Sequence, residues 1–274
     1  MSPHFVGVRP RLIPCLLLRA GAVYTTQSFG QRSYVGDLLN TVRIFNELEV
    51  DELMVLDIDA TRRGHEPNFE LLSSVADECF MPLSYGGGVR SVEQMAKLYA
   101  LGIEKVVLNS VLHEQPELLQ AASARFGRQA VMASIDAKRA SASTARIGEP
   151  TVWSAMRRDG GFRYGTTPEQ LAREFAELGA GELLLTSVDA DGSFGGYDLD
   201  LVRAVCNVVD IPVIASGGAG NLQHVHDVLK AGAQAAAAAT MLVRQRALRS
   251  VLVHYPSRSQ LRTTFPPPRL SSPP

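Results

Sequence analysis

The stretch MPLSYGGGVRSVEQMAKLYALGIEKVVLNS, residues 81–110, aligns without a gap with IPVIASGGAGNLQHVHDVLKAGAQAAAAAT, residues 211–240, at an offset of 130 positions. Working outward at the same offset, DELMVLDIDA at 51–60 falls on GELLLTSVDA at 181–190. Each copy contains an apolar run, a glycine cluster, a stretch of helical period and a second apolar run. A repeat of this length predicts a chain built from two similar halves.

Short apolar runs and stretches of helical period alternate along the chain. The predicted strands are 12–18, 53–58, 82–85, 105–108, 130–135, 183–188, 212–215 and 235–239. The predicted helices are 38–48, 68–78, 92–101, 116–125, 168–178, 199–208 and 222–231. Continuous apolar strands indicate burial on both faces, so we predict an α/β fold, a (β/α)8 TIM barrel made of two half-barrels. An open doubly wound sheet is the alternative, but the G-x-G-x-x-G turn expected after its first strand is missing.

Composition excludes several classes of protein. The 274 residues are 46 % hydrophobic and 20 % charged, which is typical of a packed globular chain and not of a disordered or fibrous one. A net charge of −1 gives no global attraction to nucleic acid or membranes, and we expect neither as a partner. No run approaches the roughly 20 apolar residues of a membrane span, and the chain starts without a signal-peptide core, so we expect a cytoplasmic protein. The three cysteines are far apart and show neither C-x-x-C nor His spacing, so they indicate neither a zinc site nor a disulfide framework. No cofactor is indicated.

We expect residues 1–255 to form a single barrel domain and the Pro/Ser-rich residues 256–274 to be a disordered tail. The polar stretch 139–167 interrupts the alternation and is predicted to be a mobile loop. Within it, Trp153 either covers a substrate or packs the loop down.

In barrels of this kind the active site lies at the carboxyl ends of the strands. Two clusters of small and polar residues fall there at matching repeat positions, one containing Gly88, Asn109 and Ser110, the other Gly218, Ala239 and Thr240. Backbone N–H groups and helix N-termini at such corners suit phosphate, so we predict a substrate with a phosphate at each end. The alternative is that the glycines only form tight turns. Two such clusters at equivalent positions of the repeat argue against this alternative.

Asp136 ends the fifth predicted strand, where a carboxylate tuned by burial can act as a general acid or base. Its structural alternative is to pair with Lys138 or to cap a turn. The equivalent position of the first half holds Leu17, so a symmetric pair of carboxylates is absent.

Four charged residues stand just before predicted strands from the four quarters of the barrel: Arg11, Glu52, Lys105 and Glu182. They either form a closed ring of ion pairs at the barrel bottom or are exposed charges of little consequence, and the residues alone favour the second interpretation. His65, His224, His226 and His254 show no ligand spacing, so no metal site is predicted.

The chain resembles a known family in RLIPC, DELMVLDIDA, YGGGVRS, EKVVLNS, SIDAKR, GAGELLLTSVDADG, GYDL and IPVIASGGAGN, over roughly residues 9–245. It is similar to the cyclase subunit of imidazole glycerol phosphate synthase. That resemblance implies a half-barrel-duplicated (β/α)8 protein that takes ammonia from a glutaminase subunit at the barrel bottom. The ammonia then reaches a bisphosphorylated ribulosyl-formimino substrate at the top, giving imidazole glycerol phosphate and aminoimidazole carboxamide ribotide.

The resemblance also implies roles for residues. Asp136 matches a catalytic aspartate; the first phosphate site matches Gly88, Asn109 and Ser110; and the second matches Asp191, Gly192, Gly218, Ala239 and Thr240. Arg11, Glu52, Lys105 and Glu182 match the charged gate of the ammonia channel, which reverses the preference for exposed charges.

Three positions depart from the family pattern. Leu17 replaces the other catalytic aspartate, Thr25 replaces a lysine close to a phosphate, and Ala190 replaces an arginine. Loss of a general acid or base typically costs about 10²- to 10⁴-fold in rate, which argues against efficient histidine-pathway cyclisation.

The segments CLLL, YVGDLLNTVRIFNELEVDEL, EPNFELLSSVADECFMPLSYGGG and RSVLVHYPS look closer to a paralogous branch with Leu at the first aspartate position. Membership would imply amidination of a sugar in bacterial surface polysaccharide, with ammonia delivered to a separate sugar amidotransferase. Two alternatives remain: a working histidine-pathway cyclase in which Asp136 suffices, and a non-catalytic scaffold that activates the glutaminase.

Overall fold

The structure is a computed structural model that describes residues 10–139, 153–156, 166–245 and 250–265. Its strands are β1 (Arg11–Arg19), β2 (Ala22–Gln27), β3 (Gln31–Asp37), β4 (Leu53–Asp57), β5 (Leu83–Gly86), β6 (Lys105–Leu108), β7 (Val131–Arg139), β8 (Trp153–Ala155), β9 (Glu182–Ser187), β10 (Val213–Ser216), β11 (Ala235–Ala238), β12 (Arg244–Gln245) and β13 (Ser250–Val251). Its α-helices are α1 (Leu38–Glu47), α2 (Ala60–Arg63), α3 (Phe69–Glu78), α4 (Val92–Ala100), α5 (Glu117–Phe126), α6 (Pro168–Glu177), α7 (Leu199–Cys206), α8 (Leu222–Ala231), α9 (Thr240–Val243) and α10 (Arg258–Thr264). Short 3₁₀ turns cover Ser110–His113 and Arg128–Ala130.

Eight parallel strands close into a barrel. Around the ring they run β1, β4, β5, β6, β7, β9, β10 and β11, and β11 then pairs with β1 from Arg11↔Ala235 to Pro14↔Ala238. Helices follow the strands in alternation. The predicted (β/α)8 TIM barrel is therefore confirmed, and the open sheet is excluded because both of its edges would have to be unpaired.

The seven predicted helices all occur, with ends within two residues of the predicted ones. Several of them begin with a polar N-cap residue. Ser91 of α4 and Asn221 of α8 lie at matching repeat positions, and each side chain accepts a hydrogen bond from the backbone N–H three residues further along. Each helix turns its apolar stripe toward the barrel, where a continuous core fills the space between strands and helices.

The barrel interior holds a second, separate apolar cluster. Its buried members are Ile13, Cys15, Met54, Val107, Met132, Leu184, Ile214, Ala235 and Ala237, and Leu17, Leu56 and Ala239 pack against it. These side chains alternate along their strands with those of the outer core. The barrel axis is therefore filled with apolar side chains.

Two additions to the barrel were not predicted. β2 and β3 form an antiparallel hairpin that extends from β1, and β8 pairs with β7 inside the stretch expected to be a mobile loop. Trp153 of β8 is 8 % exposed, and its Nε1 donates to Asp198 Oδ2 at 3.1 Å. Trp153 thus packs against the barrel, and most of 139–167 lies outside the described residues.

The expected disordered tail needs correction over its first part. Residues 258–264 form α10, which begins with a capping box between Ser257 and Gln260 and packs on α8. Leu261 of α10 is buried. The proline run that argued against a helix starts only after Phe265, outside the described residues. Across the described part of the chain, no helix is both long and apolar enough to cross a bilayer.

Candidate functional site

A cavity of about 320 Å³ opens at the carboxyl ends of the barrel strands. Nine residues singled out in the sequence line it: Gly88, Asn109, Ser110, Asp136, Asp191, Gly192, Gly218, Ala239 and Thr240. The fold therefore brings together all the side chains and corners predicted for the top of the barrel. Their roles in binding or catalysis remain predictions.

Both glycine corners have a positive φ. Gly88 after β5 has a φ of 72° and Gly218 after β10 a φ of 106°, a region that suits glycine. A Cβ would lie 2.6 Å from the carbonyl oxygen of His65 at Gly88 and 2.0 Å from that of Gly196 at Gly218. Both corners thus need glycine for their backbone conformation, as the alternative of tight turns expected. They also form part of the cavity wall.

The first residues of two short helices line the cavity together with the glycine corners. Ser110 begins a 3₁₀ turn after β6, and Thr240 begins α9 after β11. The first N–H groups of a helix have no partner within it, so a short helix at this end of a barrel suits a phosphate group. The repeat thus places two potential anion sites in different sectors of the mouth.

Asp136 lies at the cavity end of β7. Its Oδ2 accepts a 2.8 Å hydrogen bond from Asn109 Nδ2, and it makes no ion pair with Lys138 within the described residues. Burial raises the pKa of Asp136 to about 6; the Asn109 bond lowers this pKa, and the charge of Asp191 raises it further. A carboxyl that titrates near neutrality can both accept and donate a proton at working pH.

Leu17 stands where the family resemblance places a second acid. It lines the same cavity and packs on the apolar cluster inside the barrel. Two other carboxylates in the cavity hold backbone in place: Asp57 accepts the N–H groups of Asp59 and Ala60. Asp191, whose pKa is raised by burial, accepts bonds from the hairpin.

The β2–β3 hairpin supplies residues that sequence reasoning missed. Asp191 Oδ2 accepts the Thr26 hydroxyl at 2.7 Å and the Phe29 N–H at 3.2 Å, which ties the hairpin to the mouth. Ser28, Phe29 and Arg32 line the cavity. The available signal was the polar-apolar alternation on either side of SFG at 28–30.

Thr25, on the same hairpin, is buried and does not line the cavity. Its hydroxyl accepts a 2.9 Å bond from Arg244 Nε. Arg244 also donates to the carbonyl of Tyr34 at 2.7 Å, so it fastens the hairpin to the chain after β11.

The four charges at the opposite end form a closed ring of ion pairs, which we call the charge ring. Arg11 pairs with Glu52 and, at 2.7 Å, with Glu182; Lys105 pairs with Glu182 at 2.7 Å and with Glu52 at 3.4 Å. Ser84 also donates to Glu52 at 3.1 Å. The carboxylates are buried, so the alternative of separate exposed charges is wrong.

Electrostatics within the charge ring are balanced. Burial alone would lower the pKa of Arg11, but the adjacent Glu182 and Glu52 carboxylates raise it above its ordinary value. The apolar interior cluster lies between the charge ring and the cavity, since the ring residues sit at the amino ends of β1, β6 and β9 and the cavity at the carboxyl ends.

Among the residues that the structure describes, no group of three or more His, Cys, Asp or Glu side chains is placed to hold a metal ion. His224 and His226 instead lie within hydrogen-bonding distance of Asn221 and of the Thr264 carbonyl.

Comparison with known proteins gives a consistent result. The family described as "Histidine biosynthesis protein" matches residues 11–247. A protein of Leptospira borgpetersenii, provisionally named imidazole glycerol phosphate synthase subunit HisF, is 38 % identical over 94 % of this chain and 100 % of its own. A Pseudomonas aeruginosa protein provisionally named subunit hisF2 of the same synthase is 40 % identical over 93 % and 98 %.

A third relative, from Trichormus variabilis, is named imidazole glycerol phosphate synthase subunit HisF without reservation and is 40 % identical over 85 % of this chain and 89 % of its own. The family match spans the barrel from β1 to β11 and so includes both ends described above. The chain therefore belongs to the family of histidine biosynthesis proteins.

Proposed function

We propose that this chain is a cyclase-type subunit of an imidazole glycerol phosphate synthase-like complex. A glutaminase docks at the amino-terminal face of the barrel and releases ammonia there. The ammonia passes the charge ring, crosses the apolar interior and reaches a phosphorylated substrate in the cavity. The names of the relatives support this assignment, since three of them denote HisF subunits of that synthase.

The observation that carries the proposal is the buried charge ring. Four ionic side chains from different strands are costly to desolvate, and such an arrangement is weak evidence for stability alone. An entrance for a small polar molecule gives the charge ring a function, because its members can exchange partners while all remain paired. The apolar side chains beyond it favour neutral ammonia over the ammonium ion.

In the cavity, we assign Asp136 the proton transfers that accompany attack by ammonia. Its raised pKa lets it take a proton from the attacking nitrogen and return one to a leaving group. Gly88, Asn109 and Ser110 hold one phosphate. The other is held by Asp191, Gly192, Gly218, Ala239 and Thr240, with Asp191 acting through the hairpin it fixes.

Leu17 supports a finer proposal about the acceptor. An isobutyl group cannot transfer protons, so ring closure that needs two acids is impaired. We propose that the ammonia serves amidination of a bacterial surface-polysaccharide sugar, together with a sugar amidotransferase. A histidine-pathway cyclase that needs only Asp136 is the competing function, supported by the same relatives.

Cyclase turnover of the purified protein with the phosphoribulosyl-formimino substrate and ammonium salt tests these alternatives. We expect wild type to be silent and Leu17→Asp to gain activity, because the variant restores a second acid in an intact cavity. The double variant Leu17→Asp with Asp136→Asn is the matched control and should be silent again. Wild-type turnover that Asp136→Asn abolishes would instead identify a working histidine-pathway cyclase.

A scaffold without chemistry of its own predicts a different pattern. Glutaminase stimulation would then survive Asp136→Asn but not disruption of the charge ring, and no Leu17 variant would turn over.

A further inference from the structure

A set of arginines lies at the cavity rim, in the sector formed by β1, β3 and α2. Three of them surround the carboxylate of Asp59: Arg19 Nε at 2.7 Å, Arg32 Nη2 at 3.4 Å and Arg63 Nη2 at 3.6 Å. Asp59 is 6 % exposed. Three positive charges against one negative charge leave a surplus of two, so this sector attracts anions.

Two arginines of this sector line the cavity wall. Arg32, whose side chain is held on one side by Asp59, lines the cavity wall. Arg62 of α2 lines it too, is exposed, and makes no ion pair within the described residues. We call Arg19, Arg32, Arg62 and Arg63 the arginine group.

The remaining acid of this sector, Asp57, offsets one positive charge but does not pair with the arginine group. Asp57 Oδ1 accepts the N–H groups of Asp59 at 3.0 Å and of Ala60 at 2.9 Å, and Asp57 takes part in no ion pair among the residues that the structure describes. Its role is to hold the turn into α2. With Asp57 and Asp59 both counted against the four arginines, a positive surplus of two remains in this sector.

The arginine group lies beside the Gly88 corner and away from the Gly218 corner, since a Cβ at Gly88 would meet the Cβ of Ala60 in α2 at 3.1 Å, whereas one at Gly218 would meet Gly196. Around the barrel, β1 and β4 lie between β11 and β5, whereas the corners follow β5 and β10. An anion bound by Arg32 and Arg62 would thus be a further anionic group of a ligand whose phosphate occupies the Gly88 corner. Neutral backbone N–H groups serve those corners, but fixed positive charge serves this sector.

We propose that Arg32 and Arg62 bind a further anionic group of the ligand, a carboxylate or a phosphate, beside the one at the Gly88 corner, and that Asp59 positions Arg32 for it. Guanidinium groups recognise such oxyanions through paired N–H bonds with defined geometry. This proposal rests on the sugar acceptor of the proposed function. For such an acceptor, the arginine group selects a sugar phosphate with a second anionic group over one without it.

Calorimetric titration of the full chain with three sugars tests this subsite. Glucose 1-phosphate carries one anionic group, glucuronic acid 1-phosphate adds a carboxylate, and glucose 1,6-bisphosphate adds a phosphate. We expect one of the doubly anionic sugars to bind wild type at least about tenfold more tightly than glucose 1-phosphate. Arg32→Gln and Arg62→Gln should each remove most of this advantage; which sugar loses it tells carboxylate from phosphate.

Two further variants separate binding from folding. Arg125→Gln, an exposed arginine of α5 that pairs with Glu93, should bind all three sugars as wild type does. Asp59→Asn adds one net positive charge but releases Arg32, so the preference for the doubly anionic sugar over glucose 1-phosphate should fall, whereas a general structural defect would weaken both. Arg62→Gln breaks no described ion pair and should fold normally.

The subsite is overturned if wild type fails to prefer either doubly anionic sugar, or if both arginine variants retain the preference. The titrations use neither ammonia nor glutaminase. Failure of the turnover experiment would therefore reject the proposed function and leave this result standing, and the reverse also holds.

Discussion

At the residue scale, Asp136 combines a chemical advantage with a cost to folding. Burial raises its pKa to about 6, so above that pH a carboxylate is kept in surroundings that disfavour its charge. Asn109 compensates with one hydrogen bond of 2.8 Å. Sites that hold a reactive group in this way commonly trade stability for activity.

The variant Asp136→Asn should be more stable than wild type at pH 8. The folded-state pKa of Asp136 lies above its ordinary value of 3.8, so its contribution to stability is present at low pH and lost as pH rises through about 6. Asparagine never ionises and still accepts the bond from Asn109. We expect a gain of up to roughly 3 kcal/mol in the free energy of unfolding at pH 8, measured by urea titration, and little near pH 4.

Asp77→Asn, at an exposed carboxyl of α3, is the control and should show no such pH-dependent gain. Equal stability of wild type and Asp136→Asn across this pH range would contradict the assigned pKa direction.

How far single residues could be predicted depended on where their partners lie. Asp136 and the glycine corners follow apolar runs, so their position at the carboxyl ends of strands could be derived from local pattern alone. Arg32 could not, because its partner Asp59 is 27 positions away and on another element. The hydroxyl of Thr25 meets an arginine 219 positions along the chain, which no local pattern reveals.

At the element scale, the β2–β3 hairpin is the main structure that the sequence pattern missed. Barrel strands are buried on both faces and read as continuous apolar runs, whereas β2 and β3 mix exposed and buried positions and resemble a polar loop. α10 was missed for a related reason: the prolines beyond it dominated the composition, although S-x-x-Q at 257–260 is a capping box.

Contact between the hairpin and the loop after β9 depends on Gly192. A Cβ there would lie 2.1 Å from the carbonyl oxygen of Thr26, so Gly192→Ala should push β2 away from the mouth. Gly64 has nearly the same φ, +69° against +67°, but open space around it, so Gly64→Ala is the matched control.

We expect Gly192→Ala to lower the Tm by at least about 4 °C more than Gly64→Ala, since a change of about 1 kcal/mol shifts the Tm of a chain of this size by roughly 2 to 4 °C. The same variant should weaken phosphate-ester binding, measured by calorimetry. Equal effects of the two substitutions would show that the hairpin does not rest on this glycine.

At the scale of the whole molecule, the charge ring depends on closure of the barrel. Its members come from positions 11, 52, 105 and 182, and only pairing of β11 with β1 brings all four around one axis. Their residue types and strand starts were visible in the sequence. Their mutual contacts, and therefore the choice between a ring and scattered exposed charges, were not.

Glu182→Gln should separate the two ammonia sources. Glutamine removes one charge and weakens the pairs with Arg11 and Lys105. In the glutaminase complex, glutamine-dependent turnover should fall about tenfold, which corresponds to roughly 1.4 kcal/mol, while turnover with added ammonium salt changes little. The free energy of unfolding should drop by about 3 to 5 kcal/mol, because a partner of a buried ion pair is lost.

Arg203→Gln, which breaks the exposed pair with Asp200, is the control and should affect neither turnover nor stability appreciably. A parallel loss of both glutamine- and ammonium-dependent turnover in Glu182→Gln would argue against an entrance at the charge ring.

Balanced charge at one end of the barrel and surplus charge at the other make the molecule electrically asymmetric along its axis. The charge ring holds two positive and two negative groups and projects almost no long-range field, so dissolved ions have little influence there. The arginine group holds a surplus of positive charge at an open rim, where counter-ions accumulate and compete. Added salt should therefore weaken the binding of anionic ligands at the cavity end of the barrel. It should have little effect on the passage of neutral ammonia through the charge ring.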